Sequence, residues 1–187
     1  MQISRSPFEA KPASLRNASI TPNALGGIAY ANGYFVAADL LTKHAKANNC
    51  ERDLLVFPIC YLYRHNLELQ LKELIATSET ALGLPKHKTT HHRVKKLWNL
   101  ARTLLIQADP KASDADEFKR VDRLMDYIDL VDADAQSFRF PVKTDGSASL
   151  NGVVEIDLDA LAELSNSVTL YLWGCVDWMH EIGRSGP

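Results

Sequence analysis

One stretch constrains the chain more than any other: Asp53 to Gly83, and within it Tyr61-Leu-Tyr-Arg-His-Asn-Leu-Glu-Leu-Gln-Leu-Lys-Glu-Leu-Ile75. Leu67, Leu71, Leu74 and Ile75 repeat at the spacing of one helix face. Arg64, Glu68 and Lys72 stand four residues apart and draw a second, polar line along the same helix. A helix apolar around much of its circumference takes the centre of a bundle. A polar line on such a helix, once covered, must be paired internally or must serve a ligand.

The rest of the chain supplies helices to pack around it. Asn23–Asn49 reads as a first helix, weakened at its start by Gly26, Gly27 and Gly33 and firm from Tyr34. The central helix becomes regular from about Pro58, with a turn or two before it, and stops at Gly83-Leu84-Pro85. His92 to Gln107 is the cleanest amphipathic segment, with Val94, Leu97, Trp98, Ala101, Leu104 and Leu105 on one face. A fourth helix, capped by Ser113 or Asp114, carries Phe118, Val121, Leu124, Met125, Ile128 and Val131. A fifth is capped by Asp157, aligns Leu161, Leu164, Val168, Leu172, Cys175, Met179 and Ile182, and ends at Gly183.

Two segments break the helical period. Met1 to Pro22 reads as an irregular arm. Residues 135–156 alternate at Phe138-Arg139-Phe140, turn at Asp145-Gly146 and become β-branched, which predicts a short β-hairpin or extended flap before the last helix. Alternation sends Phe138 and Phe140 to the bundle and Arg139 outward. The expected fold is one all-α domain over 1–187, an up-and-down bundle of about five helices. Strict alternation of direction places the Lys86–His91 loop and the flap at one end and Arg64 toward the other, so Arg64 and Arg139 are not expected to share a site.

Composition narrows the class. A net charge of −2 excludes a globally basic nucleic-acid binder but leaves room for a local patch. Cys50, Cys60 and Cys175 have no metal-ligand spacing and read as reduced, buried thiols of a cytoplasmic protein. The chain carries neither an apolar signal core nor the run of about eighteen apolar residues that a membrane span needs.

Three clusters could carry chemistry. Arg64, His65, Glu68 and Lys72 form either a phosphate-binding wall or an intrahelical ion ladder, and the ladder is favoured. Lys86, His87, Lys88, His91, His92, Arg93, Lys95 and Lys96 run without an intervening acid. Phosphates are the natural partners of such a run, the alternative being a solvated loop, and a zinc site from His87, His91 and His92 is disfavoured by the lysines around it. Asp122, Asp126 and Asp129 share a helix side, where a Mg²⁺ site lacks a second acidic helix and a solvated face is the simpler reading. No metal or cofactor is expected.

The residues from Arg64 to Ile75, the Gly83-Leu84-Pro85 break, and His91-His92-Arg93-Val94-Lys95-Lys96-Leu97-Trp98 resemble the HEPN superfamily of small helical bundles. The likeness covers about Leu54 to Leu105. It implies a homodimer and binding of RNA or a nucleotide. It also implies a stress, toxin–antitoxin or phage-defence setting, with a partner protein from that system. Many members cut RNA without metal through an Arg, four to six residues, then His. No arginine here has a histidine at that distance. The resemblance therefore implies fold and partner class rather than cleavage. Catalysis would need His65 or His91 as base, with Arg64 or Arg139 stabilising the phosphate charge. The expected nucleic-acid contacts are Lys86, Lys88, His91, His92, Arg93, Lys95, Lys96 and Arg139. A structural or dimerisation module without ligand is the third reading.

Overall fold

A computed structural model describes residues 26–150, 152–153 and 155–185. The expected N-terminal arm lies outside the described residues. Over the described residues the fold is an all-α bundle of five helices: α1 Gly26–Ala47, α2 Asn49–Ala81, α3 Val94–Ala108, α4 Asp116–Asp132 and α5 Leu158–Ser185, with a short 3₁₀ turn at Pro110–Asp114. No described helix is long and apolar enough to cross a membrane.

The apolar faces read from the sequence meet in one main core. Leu67, Leu71, Leu74 and Ile75 of α2 pack with the α3 face, with Phe118 to Met125 of α4 and with Val168 to Met179 of α5. Trp98 is fully buried at its centre, its ring edge-on to Phe118 at 5.0 Å between centroids. Its indole N–H donates to Asp122 at 2.7 Å, which satisfies the one polar atom that burial would otherwise strand. A smaller cluster, Ala38, Ala45, Ile59, Tyr63 and Leu158, joins α1 to the first half of α2 and the start of α5.

Contacts fix the helix directions. Tyr34 of α1 meets His65 while His44 meets Glu51, so α1 and α2 are antiparallel. Along α3 and α4, Arg93 pairs with Asp134, Lys95 with Asp126 and Trp98 with Asp122, again antiparallel. Thr169 lies beside Asn66 and Gln70, and Gly183 beside Ala81, so α5 runs parallel to α2. Arg120 of α4 reaches Ser167 of α5 while Leu124, Ile128 and Leu161 share a cavity wall, which makes that pair antiparallel. It follows that α3 runs parallel to α2. Direction reverses at every connection except the one between these two.

That exception corrects the expected placement of the loops. Gly83 takes φ +65°, and the amide of Leu84 donates to Glu79 O at 2.8 Å, closing α2 with a left-handed turn suited to glycine. The chain then doubles back along α2. The His87 amide and ring bind Glu79, and the His92 ring binds Glu68. Glu68 and Glu79 are separated by roughly 16 Å along the helix axis, at about 1.5 Å per residue. The segment from His87 to His92 therefore runs back along α2, and residues 84–93 carry no helix, strand or turn. Residues 83–93 form a strap on α2 rather than a loop at its end. His92 and Arg93 belong to this strap, and α3 starts at Val94, with no side-chain cap on its first turn.

Further expectations are corrected. The flap contains no strand among the described residues. One isolated antiparallel bridge, Val142 to Ala148, closes a turn around Gly146, and Ser137 to Arg139 form a turn of their own. Alternation therefore fails for the rings, since Phe138 is half-buried and Phe140 exposed, while Arg139 is exposed as expected and lies along Phe140 and Tyr61. Neither Ser113 nor Asp114 caps α4, which starts after Ala115 without a side-chain cap bond. Cys50 is exposed, while Cys60 and Cys175 are buried, and all three are free thiols. Asp157 does cap α5, accepting from the amides of Asp159 and Ala160 at 2.9 and 3.0 Å. That helix runs past Gly183 to Ser185. Pro58 lies inside α2, where it leaves the Leu54 carbonyl without a helical donor; Leu54 is 71 % exposed, so water can take that place.

Candidate functional site

The polar line of α2 sits where the strap, the end of α4 and the start of the flap converge. Arg64 is buried, its side chain 1 % exposed. Its Nη1 donates to Glu68 Oε2 at 3.0 Å, and its Nη2 donates to the His92 carbonyl. Its Nε faces Asp132 Oδ2 at 3.1 Å as an ion pair off the hydrogen-bond line. Asp132, equally buried, accepts the Ser137 amide at 2.7 Å on its other oxygen. Glu68 Oε1 accepts from Lys72 and from the His92 ring, both at 2.8 Å. One guanidinium thus ties together α2, the strap, α4 and the flap.

The charges balance in a way that suits burial. Removing Glu68 from water would raise its pKa, but the Lys72, His92 and Arg64 donors outweigh that and hold its carboxyl below the usual range. A buried arginine beside two buried carboxylates is costly to desolvate and stable only because every group is paired. The intrahelical ladder favoured from the sequence is present, and it extends beyond its own helix. Asp132 and Glu79, which complete the arrangement, carried no local signal. Each pairs across a sequence separation that periodicity cannot report.

His65 flanks this cluster without joining it. Its ring stacks on Tyr61 at 5.5 Å and 9°, and Tyr34 meets it edge-on at 4.4 Å. Burial pushes its pKa down, with Glu68 opposing and Arg64, Lys72 and His92 adding to the depression. The guanidinium of Arg139 lies 5.7 Å from the Tyr61 ring centre, and its Nε donates to the Ala135 carbonyl at 2.7 Å. Arg64, His65, His92 and Arg139 therefore occupy one level of α2, against the expectation of opposite ends. Convergence does not free Arg64, since each of its three nitrogens already faces a protein oxygen.

The basic run divides in two. His87, His92, Arg93 and Lys95 are each matched to an acid: Glu79, Glu68, Asp134 and Asp126. Lys86, Lys88, His91 and Lys96 are exposed and have no acidic partner among the described residues. Of the acidic cluster, Asp122 accepts from Trp98 and faces Arg102 at 3.7 Å, and Asp126 pairs with Lys95. Among the described residues no group of three His, Cys, Asp or Glu side chains is arranged to hold a metal ion.

Comparison with known proteins adds nothing to this geometry: no family model, no characterised protein and no solved structure matches the chain.

Proposed function

We propose that the protein is a HEPN-like binder of RNA or nucleotide polyanions rather than a nuclease. The observation that supports this is the strap. Two histidine–glutamate contacts and the Arg64–His92 contact hold it along α2, leaving Lys86, Lys88 and His91 facing solvent, with Lys96 exposed on the first turn of α3 beyond it. A fixed row of cations binds phosphates without the entropic cost of ordering a loose loop. Arg139, resting on Tyr61 and Phe140, adds a cation beside aromatic faces of the kind on which bases stack.

The ribonuclease alternative loses Arg64, which is committed to protein oxygens, and would rest on Arg139 with His65 or His91 as base. A stress, toxin–antitoxin or phage-defence setting, as a homodimer or beside a partner protein, is what the HEPN resemblance adds to this reading.

The test is a titration of single-stranded RNA into the wild type and into the triple variant Lys86→Gln, Lys88→Gln, Lys96→Gln across a salt series. The wild type is expected to bind at low salt, with affinity falling as salt rises. Losing three phosphate contacts at about 0.7 released counterions each should flatten the log–log slope by roughly 2. A wild type with no affinity for RNA or polyphosphate at low salt overturns the reading. RNA turnover that persists in chelator and is lost in His65→Ala or His91→Ala would restore the nuclease.

A further inference from the structure

A cavity of about 350 Å³ lies beside Arg64, lined by residues of α2, α4, α5 and the flap. Its volume falls within the usual range of small-molecule sites, roughly 300–1,000 Å³. Its walls are mostly apolar: Leu67, Leu124, Ile128, Val131, Phe138 and Leu161 among others. Ser165 of α5 also lines it. Its hydroxyl is buried, 1 % exposed as a residue, with no hydrogen-bond partner among the described residues. Buried hydroxyls are normally paired, and one left open against a cavity points to a group that enters from outside the chain. Ser78 and Ser149 are likewise unpaired, but neither lines this space.

The charges around the cavity bear on the occupant. Arg64 lines it, but Glu68 and Asp132 neutralise that guanidinium. Glu155 and Asp157 lie at its edge, both exposed, and the Asp157 carboxylate caps α5. No unpaired cation lines the cavity among the described residues, so nothing in its wall offsets that acidic edge for an anion. The Cys60 thiol, also in the wall, is pushed up to about 12 by burial first and by Asp132 second, which leaves it protonated and unreactive.

We propose that this cavity is a binding site for an uncharged small molecule with an aromatic or aliphatic body and one group that hydrogen-bonds the Ser165 hydroxyl. The site stands apart from the polyanion reading. Lys86, Lys88 and Lys96 line none of it, so the two readings fail independently.

The probe is N-phenyl-1-naphthylamine, which is uncharged, fluoresces in apolar surroundings and carries one N–H. Its anionic relative, 1-anilinonaphthalene-8-sulfonate, adds a sulfonate, and with it a negative charge and some bulk. The wild type should enhance the uncharged probe saturably and bind the sulfonate at least about tenfold more weakly, as the acidic edge requires. Val131→Phe, which fills the cavity from the last turn of α4, should weaken the uncharged probe about tenfold or more without lowering the melting temperature. Ser165→Ala should weaken it by about two- to tenfold, the worth of one hydrogen bond, while leaving thermal stability unchanged or raised. Equal enhancement by wild type and Val131→Phe, or tighter binding of the sulfonate, overturns the proposal. So does a wild type that excludes the probe. If that wild type also self-associates and Val131→Phe does not, the cavity belongs to a second copy of the chain.

Discussion

The Trp98 core and the Arg64 cluster sit on neighbouring faces of α2 and are held by opposite chemistry. Around Trp98, about twenty side chains share an apolar interior in which each gains from its neighbours and no single partner is required. Around Arg64, five polar groups are each matched to a named oxygen or nitrogen, and the gain of every contact is set against the desolvation of two ions. The first region tolerates exchange of one apolar residue for another of like size. The second does not tolerate the loss of a member, because the charge left behind has no water to turn to. The apolar region supplies stability, while the polar one fixes where the strap and the flap lie.

The largest expected effect breaks the polar region. Arg64→Ala leaves Glu68 and Asp132 buried without their shared cation and should cost at least about 3–5 kcal/mol. Urea unfolding measures it. Arg64→Lys should recover little, since an ammonium cannot reach three acceptors along fixed directions as a guanidinium does. A loss under about 1 kcal/mol for Arg64→Ala would show that the cluster opens to water.

Trp98→Ala should cost about 3–5 kcal/mol by cavity formation and lost contact, with Asp122 left near a void. Here the conservative change behaves differently. Trp98→Phe keeps most of the apolar contact, loses one hydrogen bond, and should recover much of the loss. The contrast between the two rescues, rather than the two truncations, separates packing from pairing.

The two regions also differ in how far the sequence revealed them. Val94, Leu97, Trp98, Ala101, Leu104 and Leu105 were legible as one face because burial by a helix imposes a period on the chain itself. The same logic exposed the core residues of α4 and α5, and Asp157 as a cap. Arg64, Glu68 and Lys72 were legible as a ladder because those contacts are also local. The contact of Arg64 with Asp132, 68 positions on, leaves no periodic trace. The return of the strap along α2 was hidden for the same reason: Gly83 signals a stop, and nothing local says which way the chain goes next. The flap was misread because alternation at Phe138-Arg139-Phe140 is too short to distinguish a strand from a turn.

Acid should act on this side of α2 in two steps, first at His65 beside the cluster and then at Glu68 within it, and on the apolar region in none. His65 is held below its ordinary value of 6.5 by burial, so its contribution is full above that pH and is lost as pH falls through the folded value. Glu68 is held below its ordinary 4.5, so its contribution is present above that pH and is lost as pH falls through its own, lower folded value. Urea midpoints across an acid series should therefore fall first below about pH 6.5 and again below about pH 4.5. His65→Phe should flatten the upper step and Glu68→Gln the lower, while Trp98→Phe shifts the whole curve down and leaves its shape.

The smallest expected effect asks whether contact distance or burial sets the worth of an ion pair. Lys95 and Asp126 approach to 2.6 Å, closer than the 3.0 Å between Arg64 and Glu68. By distance alone the α3–α4 pair would be the stronger. Asp126 is 64 % exposed, however, and Glu68 2 %. Water screens the exposed pair and can solvate either ion if the other is removed, so little is lost when it breaks. Asp126→Asn should cost under about 1 kcal/mol, and added salt should erase most of that difference. The Arg64 loss should persist in the same salt, because no counterion reaches a side chain that is 1 % exposed. If Asp126→Asn instead approached the cost of Arg64→Ala, burial would not be what sets the worth of an ion pair in this bundle.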